Sequence, residues 1–303
     1  MWDSMDDLIT AAQENPPLNM AVAAAADSVV LKSAARAERE NLVRPILVGD
    51  KEGIEDIIQS EQLEMDDYEI VDAESDREAA SRAVELTAEG KADFPMKGML
   101  STSTILRALL NKEYGLRQDK MLSLVTLMDL KNQDHMIFMS DAGMNPNPDL
   151  EAKAGIIRNA VTIARSVGVE KPRVAVLAAV ENVQSKMPVT EEAAILSKMQ
   201  DRGQLKNCLV DGPFALDNAL FEEAAEHKGI KGEVAGRADI LITPDIEAGN
   251  ILYKSMIVYA GTPAASVVYG ARVPLVLTSR ADTVRTKFNS IALAKVSTEG
   301  LSG

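Results

Sequence analysis

Hydroxyl and charged side chains that could act on an anionic or carbonyl substrate come together in Thr278–Asp282, directly after a predicted strand. Ser279 and Asp282 have the spacing of a capping box, so the segment could simply start a helix. Arg280 adds a cation with five hydrogen-bond donors at a helix N-terminus, where free N–H groups favour anions. These residue types could bind a phosphate group or polarise a carbonyl group while the carboxylate accepts a proton.

A second segment of this kind is Thr243–Asn250, which packs two carboxylates, a glycine and an amide into a strand-to-helix turn. Helix capping alone does not need so many special residues in one turn. The candidate ligand-binding residues in this segment are Asp245, Glu247, Gly249 and Asn250.

The third segment, residues 97–107, carries a cluster of hydroxyl groups that includes Thr102 and Ser103, before a helix whose second turn bears Arg107. Hydroxyl clusters at helix starts are usually caps, so this segment is the weakest of the three candidates. All three segments lie at the carboxyl ends of predicted strands, where open α/β sheets bind ligands.

Short apolar runs rich in β-branched residues alternate with longer stretches of helical periodicity along the chain. This pattern is typical of an α/β fold with a mostly parallel sheet and helices on both faces. The predicted strands are 45–48, 122–128, 136–139, 173–177, 208–210, 238–243 and 273–277. The predicted helices are 27–38, 75–88, 102–112, 149–167, 189–203, 214–227, 249–260 and 282–296.

The segment Asp141–Asp149 is the predicted domain boundary, because its prolines and asparagines interrupt both strand and helix. Two α/β lobes of about 140 residues are expected, since single hydrophobic cores stop growing at roughly 250–300 residues. A cleft between two lobes is the usual place for a ligand, and the active site is expected there.

The chain has 32 Lys and Arg residues against 46 Asp and Glu residues, which gives a net charge of −14 in 303 residues. This balance argues against binding to nucleic acid or to an anionic membrane surface. The longest uncharged run, Ser255–Ala271, is shorter than the about 20 apolar residues that span a bilayer. The N-terminus is acidic, unlike a signal peptide, so a cytoplasmic protein is expected.

Few residues are left for metal or covalent chemistry. The single cysteine, Cys208, lies in an apolar strand and is interpreted as a buried thiol rather than a nucleophile. The two histidines, His135 and His227, are interpreted as structural, and no metal site is expected. The fingerprints of Rossmann dehydrogenases, P-loop kinases, zincins and serine hydrolases are absent.

Specific sequences stand in two of the segments described above, PDIEAGN within Ala238–Lys254 and TSRAD within Gly270–Asp282. Together with Val174–Val180 and Asp211–Asn218, these segments closely resemble the phosphate acetyl/butyryltransferase family, in particular its phosphate butyryltransferase branch. The resemblance extends over nearly the whole chain, from residue 20 to residue 294.

The resemblance implies two three-layer α-β-α domains, similar to isocitrate and isopropylmalate dehydrogenases, with the active site between them. The last helix returns to the first domain, so the domains would comprise residues 1–140 plus 284–303 and residues 141–283. The implied reaction is acyl-CoA + phosphate ⇌ acyl phosphate + CoA, in a ternary complex without a covalent acyl-enzyme. CoA is then a substrate, no cofactor is tightly bound, and a homo-oligomer of two or more subunits is expected.

By position, the resemblance places Ser279 and Arg280 beside the reacting carbonyl group and Arg107 at the phosphate, where Thr102 and Ser103 also lie. The residues assigned to the CoA or acyl pocket are Asp245, Glu247, Gly249 and Asn250. The acetyl branch has a proposed catalytic carboxylate where this chain has Thr286, so Asp282 is the predicted base. Butyryl-type relatives tend to carry a histidine where this chain has Ser101.

Three alternatives stay open at the level of the sequence. The enzyme could prefer acetyl or branched-chain substrates, since one methylene is worth only about 1–3 kcal/mol in a pocket. The chain could instead be a noncatalytic acyl-CoA-binding homologue, which the residues at positions 101 and 286 mildly favour. An NAD-dependent decarboxylating dehydrogenase would need Asp245 and Glu247 as metal ligands.

Overall fold

Strands and helices alternate along the chain in the computed structural model, which describes residues 2–118 and 121–302. The strands are β1 (Leu18–Ala23), β2 (Val43–Gly49), β3 (Glu69–Asp72), β4 (Phe94–Lys97), β5 (Ser123–Met128), β6 (Ile137–Ser140), β7 (Arg173–Leu177), β8 (Leu209–Phe214), β9 (Ile240–Ile242), β10 (Ala264–Tyr269) and β11 (Leu275–Val276). The helices are α1 (Met5–Gln13), α2 (Ser28–Arg39), α3 (Lys51–Ser60), α4 (Asp76–Ala88), α5 (Thr102–Leu109), α6 (Leu150–Ser166), α7 (Pro188–Asp201), α8 (Leu216–Leu220), α9 (Glu222–His227), α10 (Ile246–Lys254) and α11 (Val284–Ser302).

Both ends of the chain contribute to one of two compact units, which contains the described residues of Met5–Lys120 and Ala264–Gly303. In this terminal unit the strand order is β3-β2-β1-β4-β11-β10, and all neighbouring strands are parallel except β10 and β11. Helix α11 packs against β10, β11 and β4 and against α1 and α2. The last helix therefore belongs with the first elements of the chain.

The central unit contains the described residues of Met1–Ser4 and Met121–Pro263. Its strand order is β5-β6-β9-β7-β8, with β5 antiparallel to β6 and the other neighbouring pairs parallel. Helix α6 packs on β5, β6 and β9, and α7 packs on β8.

Several strands of each unit are covered on both faces. Successive side chains of a strand point to opposite faces, so a strand without exposed positions is covered from two sides. Every residue of β4 and β10 in the terminal unit is buried, and so is every residue of β5 and β6 in the central unit. The predicted α/β class, with mostly parallel strands between helical layers, is confirmed.

The division of the chain differs from the predicted domains of residues 1–140 plus 284–303 and 141–283. Residues 121–140 belong to the central unit because β5 pairs with β6, and β6 pairs with β9. Residues 264–283 belong to the terminal unit because β10 and β11 pair with each other and β11 pairs with β4. Strand pairing therefore moves both boundaries towards the N-terminus.

The predicted strands and helices are present, with three changes. Strands β1, β3, β4 and β10 and helices α1 and α3 are additional to the predicted set. The predicted helix 214–227 is two helices, α8 and α9, because the Phe221 backbone between them is extended, with φ −125° and ψ 120°. Helix α10 starts earlier than predicted because Asp245 caps it. No helix in the described part of the chain is long and apolar enough to cross a membrane.

Candidate active site

The carboxyl ends of β4 and β11 lie side by side in the terminal unit. The strands are parallel, with Met96 opposite Val276, so the segments that follow them leave the same edge of the sheet. After β4 come Lys97 and the start of α5, and after β11 comes the loop Thr278–Asp282. The structure thus brings the first and third candidate segments of the sequence to one edge, where α/β sheets bind ligands.

Both backbone groups of Ser279, its N–H and its carbonyl group, are held by hydrogen bonds. Its N–H donates to Asp282 Oδ2 at 2.7 Å. Its carbonyl oxygen accepts from Lys287 Nζ at 2.9 Å and from the Asp282 N–H at 3.1 Å. Lys287 Nζ also donates to Thr278 Oγ1 at 3.0 Å. The backbone of this loop is therefore fixed by a buried carboxylate and a buried ammonium group.

The predicted capping box is formed only in part, since the Asp282 side chain accepts from the Ser279 N–H but the Asp282 N–H donates to the Ser279 carbonyl oxygen, and it does not start a helix. The Ser279 hydroxyl accepts from the Ala281 N–H at 3.3 Å, and Asp282 closes the other side of the turn. Helix α11 begins at Val284, and its first turn is capped by Thr283, whose Oγ1 accepts from the Thr286 N–H at 3.2 Å. The turn Thr278–Asp282 therefore lies before the start of α11 and is not part of the helix.

Two groups of this turn are free to meet a substrate. Ser279 and Arg280 are exposed, and Arg280 makes no hydrogen bond or ion pair with the described residues. Because the Ser279 hydroxyl accepts a hydrogen bond from Ala281, its own proton remains available for donation. The Ser279 N–H is already used by Asp282.

Asp282, the predicted base, is buried at 8% exposure. Among the described residues its only hydrogen-bonded side-chain oxygen is Oδ2, which leaves Oδ1 for another partner. Thr286, which stands where the resemblance expects a carboxylate, is buried at 9% exposure, with its Oγ1 3.1 Å from Thr283 Oγ1. A role for Asp282 in proton transfer stays a prediction.

Two lysines that the sequence did not single out accompany this turn. Lys97 is 4% exposed and Lys287 is 3% exposed. Burial, together with the nearby charges of Lys287 and Arg280, lowers the pKa of Lys97 to about 8, while Asp282 acts in the opposite direction. Burial also lowers the pKa of Lys287, although the nearby carboxylates of Asp282 and Asp27 act in the opposite direction. The sequence does contain a signal for Lys97, because this residue ends the short apolar run that forms β4. That run was not predicted as a strand, so Lys97 was not placed at a strand end.

The hydroxyl cluster of the third segment forms the cap of α5. Ser101 Oγ accepts from the Thr104 N–H at 3.1 Å and lies 2.9 Å from Ser103 Oγ and 2.8 Å from Thr104 Oγ1. Thr102 is the first residue of the helix. A structural role thus accounts for much of this cluster, and phosphate binding by Thr102 and Ser103 stays a prediction.

Arg107 is exposed and lines an open pocket of about 430 Å³ between α4 and α5. Arg77 and Ser81 of α4 line the same pocket, together with Thr104. Neither arginine makes an ion pair with the described residues. None of the residues of the Thr278–Asp282 turn lines this pocket, so Arg107 and Arg280 do not share it.

The second segment, in the central unit, is used mainly by the fold. Asp245 Oδ1 accepts from the Ala248 N–H at 2.8 Å and caps α10. A Cβ atom on Gly249 would lie 2.5 Å from the Asp141 carbonyl oxygen and 2.8 Å from Thr243 Oγ1. Asn250 Nδ2 donates to the Ala142 carbonyl at 3.1 Å. These three residues fix α10 against the loop after β6, while Glu247 is exposed and makes no ion pair or hydrogen bond with the described residues.

The loop after β6 is itself organised by Asp141, which the sequence treated as part of a linker. Its Oδ1 accepts from the N–H groups of Gly143 at 2.9 Å and Met144 at 3.0 Å, and its Oδ2 accepts from Asn145 Nδ2. Burial raises the pKa of the Asp141 carboxyl group, although these hydrogen bonds act in the opposite direction. The loop is therefore an ordered part of the central unit.

The cysteine and the histidines contribute no visible chemistry. Cys208 is 3% exposed, and burial raises the pKa of its thiol to about 11, so the thiolate needed for nucleophilic attack is scarce at neutral pH. His135 Nε2 lies 3.2 Å from Asp239 Oδ1, and the same carboxylate is paired with Arg173 at the start of β7. Among the described residues no group of three or more His, Cys, Asp or Glu side chains could hold a metal ion.

The fold is of the α/β class, and the cations Lys97, Arg280 and Lys287 lie near the strand ends of β4 and β11 in the terminal unit. The sequence profile of the family described as Phosphate acetyl/butaryl transferase matches residues 4–87 and 75–295, and the chain belongs to this family. The resemblance predicted from the sequence is thereby confirmed, and the chain is an acyltransferase.

Relatives of both branches cover nearly the whole chain. It is 46% identical over 294 residues to a phosphate butyryltransferase of Clostridium beijerinckii, covering 97% of each chain. It is 48% identical over 277 residues to a phosphate acetyltransferase of Thermotoga maritima, covering 91% of this chain and 94% of the relative. Among solved structures, a branched-chain phosphotransacylase from Enterococcus faecalis matches with a TM-score of 0.81 and 30% identity, covering 93% of this chain and 99% of that chain.

Proposed function

We propose that the chain interconverts a short-chain acyl-CoA and phosphate with the acyl phosphate and CoA, with butyryl or branched-chain groups as the preferred acyl chains. The observation that carries this proposal is the near full-length relationship to phosphate butyryltransferase and phosphate acetyltransferase. The exposed Ser279 and Arg280, on a peptide held from both sides, supply the donors that such a reaction needs.

In the direction of acyl-CoA synthesis, the CoA sulfur adds to the carbonyl carbon of the acyl phosphate, and the carbon–oxygen bond to phosphate then breaks. Negative charge develops on the carbonyl oxygen, where Arg280 and the Ser279 hydroxyl are proposed to donate. Donors fixed before the reaction stabilise this charge most effectively, and losing one typically costs about 2.7–4 kcal/mol. The clamp on the Ser279 peptide by Asp282 and Lys287 supports this assignment.

The CoA thiol must lose its proton, because a thiol with a pKa of about 8.5 is mostly protonated at pH 7. Asp282 is the proposed base, and its Oδ1 has no hydrogen-bond partner among the described residues. Thr286 cannot take this role, since a threonine hydroxyl is not a base at neutral pH. No covalent acyl-enzyme is needed, because CoA brings its own thiol and Cys208 stays protonated.

The remaining predicted residues receive substrate-binding roles. Arg107, with Thr102 and Ser103, is proposed to bind a phosphate group of the substrates, for which its planar guanidinium group is well suited. Glu247 is proposed to line the CoA or acyl pocket, because it is an exposed charged residue of its segment that makes no ion pair with the described residues. Asp245, Gly249 and Asn250 would shape that pocket through the backbone that they fix.

We also propose a cytoplasmic homo-oligomer. Ile251 and Val258 are 68% exposed and Tyr259 is 90% exposed, on α10 and the π-helical turn Ser255–Tyr259 that follows it. Of the apolar segment Ser255–Ala271, β10 is buried in its own unit, so only the first part is free for a second copy of the chain. Light scattering should give at least two chains per particle, and Tyr259→Ser with Val258→Ser should lower that number.

Release of free CoA from a panel of acyl-CoAs, with and without phosphate and with and without Mg²⁺, tests the proposal. We expect phosphate-dependent release with four-carbon or branched acyl groups ahead of acetyl-CoA, and no need for Mg²⁺. Acetyl-CoA as the best substrate would instead assign the chain to the acetyl branch. Binding of acyl-CoA without any release would favour the noncatalytic alternative that Thr286 suggests.

A further inference from the structure

Four lysines are buried in the described part of the chain, and they fall into two pairs. Lys153 forms an ion pair with Glu192, and Lys295 Nζ lies 3.8 Å from Glu299 Oε1. Among the described residues, Lys97 and Lys287 have no carboxylate within ion-pair distance. A buried charge is costly unless it is paired and hydrogen-bonded, so the second pair is the one that needs an explanation.

Hydrogen bonding does not compensate Lys97. Its Nζ donates to the Gly98 carbonyl oxygen at 3.2 Å, and no other acceptor among the described residues is bonded to it. An ammonium group has three donors, so two of them lack a protein partner. Lys287 is better satisfied, because Thr278 Oγ1 and the Ser279 carbonyl oxygen accept from it.

The surroundings of Lys97 carry a surplus of positive charge. Lys287 and Arg280 both repel its ammonium group, and Asp282 is the carboxylate that attracts it. Asp282 is already hydrogen-bonded to the Ser279 N–H, and Asp27, which attracts Lys287, caps α2 through its own side chain. Three cations therefore face two carboxylates near the end of β4 and β11, and both carboxylates are already hydrogen-bonded to backbone N–H groups.

We propose that the Lys97 ammonium group binds the phosphate group of the substrate directly, with Lys287 and Arg280 supplying further positive charge to the same anion. A phosphate dianion provides both the missing charge and the missing acceptors. The inference rests on the proposed function, which makes phosphate a substrate, and it adds a binding residue that neither the sequence nor the family resemblance assigned.

The transferred phosphate fits this position better than the phosphates of CoA. Lys97 and Lys287 are 4% and 3% exposed, so a small anion reaches them more readily than a nucleotide. In an acyl phosphate the phosphate oxygen is bonded to the carbonyl carbon, so the phosphate lies within a few ångströms of the groups that contact the carbonyl. Those groups are proposed to be Ser279 and Arg280, which follow the strand beside Lys97.

Kinetics of Lys97→Met distinguish the two sources of phosphate. We expect the KM for inorganic phosphate to rise at least about 10-fold, while the KM for butyryl-CoA changes less than about 3-fold and Lys97→Arg restores part of the loss. Lys295→Met is the matched control, a buried lysine of the same helix as Lys287, and it should leave both KM values near wild type. An unchanged KM for phosphate, or a rise confined to butyryl-CoA, would overturn the proposal.

Titration of inorganic phosphate into the purified chain at pH 8, in two buffers of different ionisation enthalpy, provides a readout that does not need turnover. Free Lys97 should be about half protonated at this pH, and a bound dianion should drive uptake of about half a proton. Lys97→Arg should bind without this uptake, since arginine stays charged. Equal proton uptake by wild type and Lys97→Arg would contradict a contact between Lys97 and phosphate.

These measurements separate the two proposals. If wild type releases no CoA from any acyl-CoA yet binds phosphate with Lys97-dependent proton uptake, the proposed function fails and the phosphate site stands. If wild type is active, but the Lys97 variants have the same KM for phosphate and the same proton uptake as wild type, the proposed function stands and the proposed phosphate site is wrong. Should Lys97→Met not fold, Lys97→Arg and the wild-type titration still decide.

Discussion

The turn after β11 and the turn after β9 are both dense in polar residues, but they use them differently. After β9, Asp245, Gly249 and Asn250 all serve contacts within the central unit. After β11, Arg280 has no hydrogen-bond or ion-pair partner among the described residues, and the neighbouring Lys97 ammonium group has one acceptor among them for its three donors. A distinctive sequence can thus arise from packing, whereas uncompensated charge indicates a place for a ligand.

The largest effect that the comparison predicts is on turnover, in Arg280→Ala. Because this exposed guanidinium is proposed to stabilise the carbonyl oxygen in the transition state, kcat should fall at least about 10²-fold. Thermal unfolding should stay unchanged, since Arg280 makes no contact that holds the fold.

Arg285→Ala is the matched control, an exposed arginine of α11. It should keep kcat within about 2-fold of wild type, as expected for an exposed side chain that the proposed reaction does not use. Near-wild-type turnover of Arg280→Ala with butyryl-CoA and phosphate would remove Arg280 from the reaction.

The next effect is on stability, in Gly249→Ala. The new methyl group would lie 2.5 Å from the Asp141 carbonyl oxygen, so α10 or the loop after β6 must shift. Overpacking of this kind costs about 1–3 kcal/mol of unfolding free energy, which denaturant titration measures.

Gly155→Ala in α6 is the control for that change, because its Cβ would meet Met121 at an ordinary 3.4 Å. It should be neutral or stabilising by up to about 1 kcal/mol, since alanine favours helix over glycine. Equal stability of both variants would contradict the packing role assigned to Gly249.

A smaller loss, with a change in pH dependence, is expected for Asp282→Asn. Asparagine keeps an oxygen for the Ser279 N–H, so the turn should survive while the base is lost. In wild type, kcat/KM should fall on the acidic side of the pH profile, where protonation of the carboxylate stops catalysis. In the variant this acidic limb should disappear, and kcat/KM at higher pH should be about 10-fold or more below wild type. A limb of unchanged position in the variant would exclude Asp282 as the base.

The smallest expected effect concerns stability against pH. The pKa of Lys97 is lowered to about 8 from the usual 10.5, so between these values the unfolded chain binds more protons than the folded one. The contribution of this group to stability therefore rises with pH across that range, by at most about 1.4 kcal/mol per pH unit. Lys97→Met should flatten this part of the curve relative to wild type, and an identical curve would show that Lys97 titrates normally.

The fold class could be predicted from the sequence because most strands and helices have the apolar periodicity typical of their type. It missed β1, β3, β4 and β10, where short apolar runs with proline or polar neighbours resemble loops. The missing β4 also hid the place of Lys97 at a strand end. The domain boundaries were predicted from Pro and Asn residues, whereas in the structure they follow from strand pairing between distant segments.

The site was predicted in part. Ser279, Arg280 and Asp282 stand together in one turn, as their spacing indicated. Lys287 lay beyond the reach of the sequence, because only the fold brings the first turn of α11 back to the Ser279 carbonyl group. Likewise, nothing in the sequence shows that Gly249 meets Asp141, since the two positions come together only through the pairing of β6 with β9.

The most direct test compares Ser279→Ala with Asn250→Ala in one assay of phosphate-dependent CoA release and one unfolding titration. The account predicts that Ser279→Ala lowers kcat by about 10-fold or more with unchanged stability, because it removes a donor to the substrate. Asn250→Ala should keep kcat within a few-fold but lose about 1 kcal/mol of stability with its hydrogen bond to Ala142. The reverse pattern, with activity lost at Asn250 and stability lost at Ser279, would contradict it.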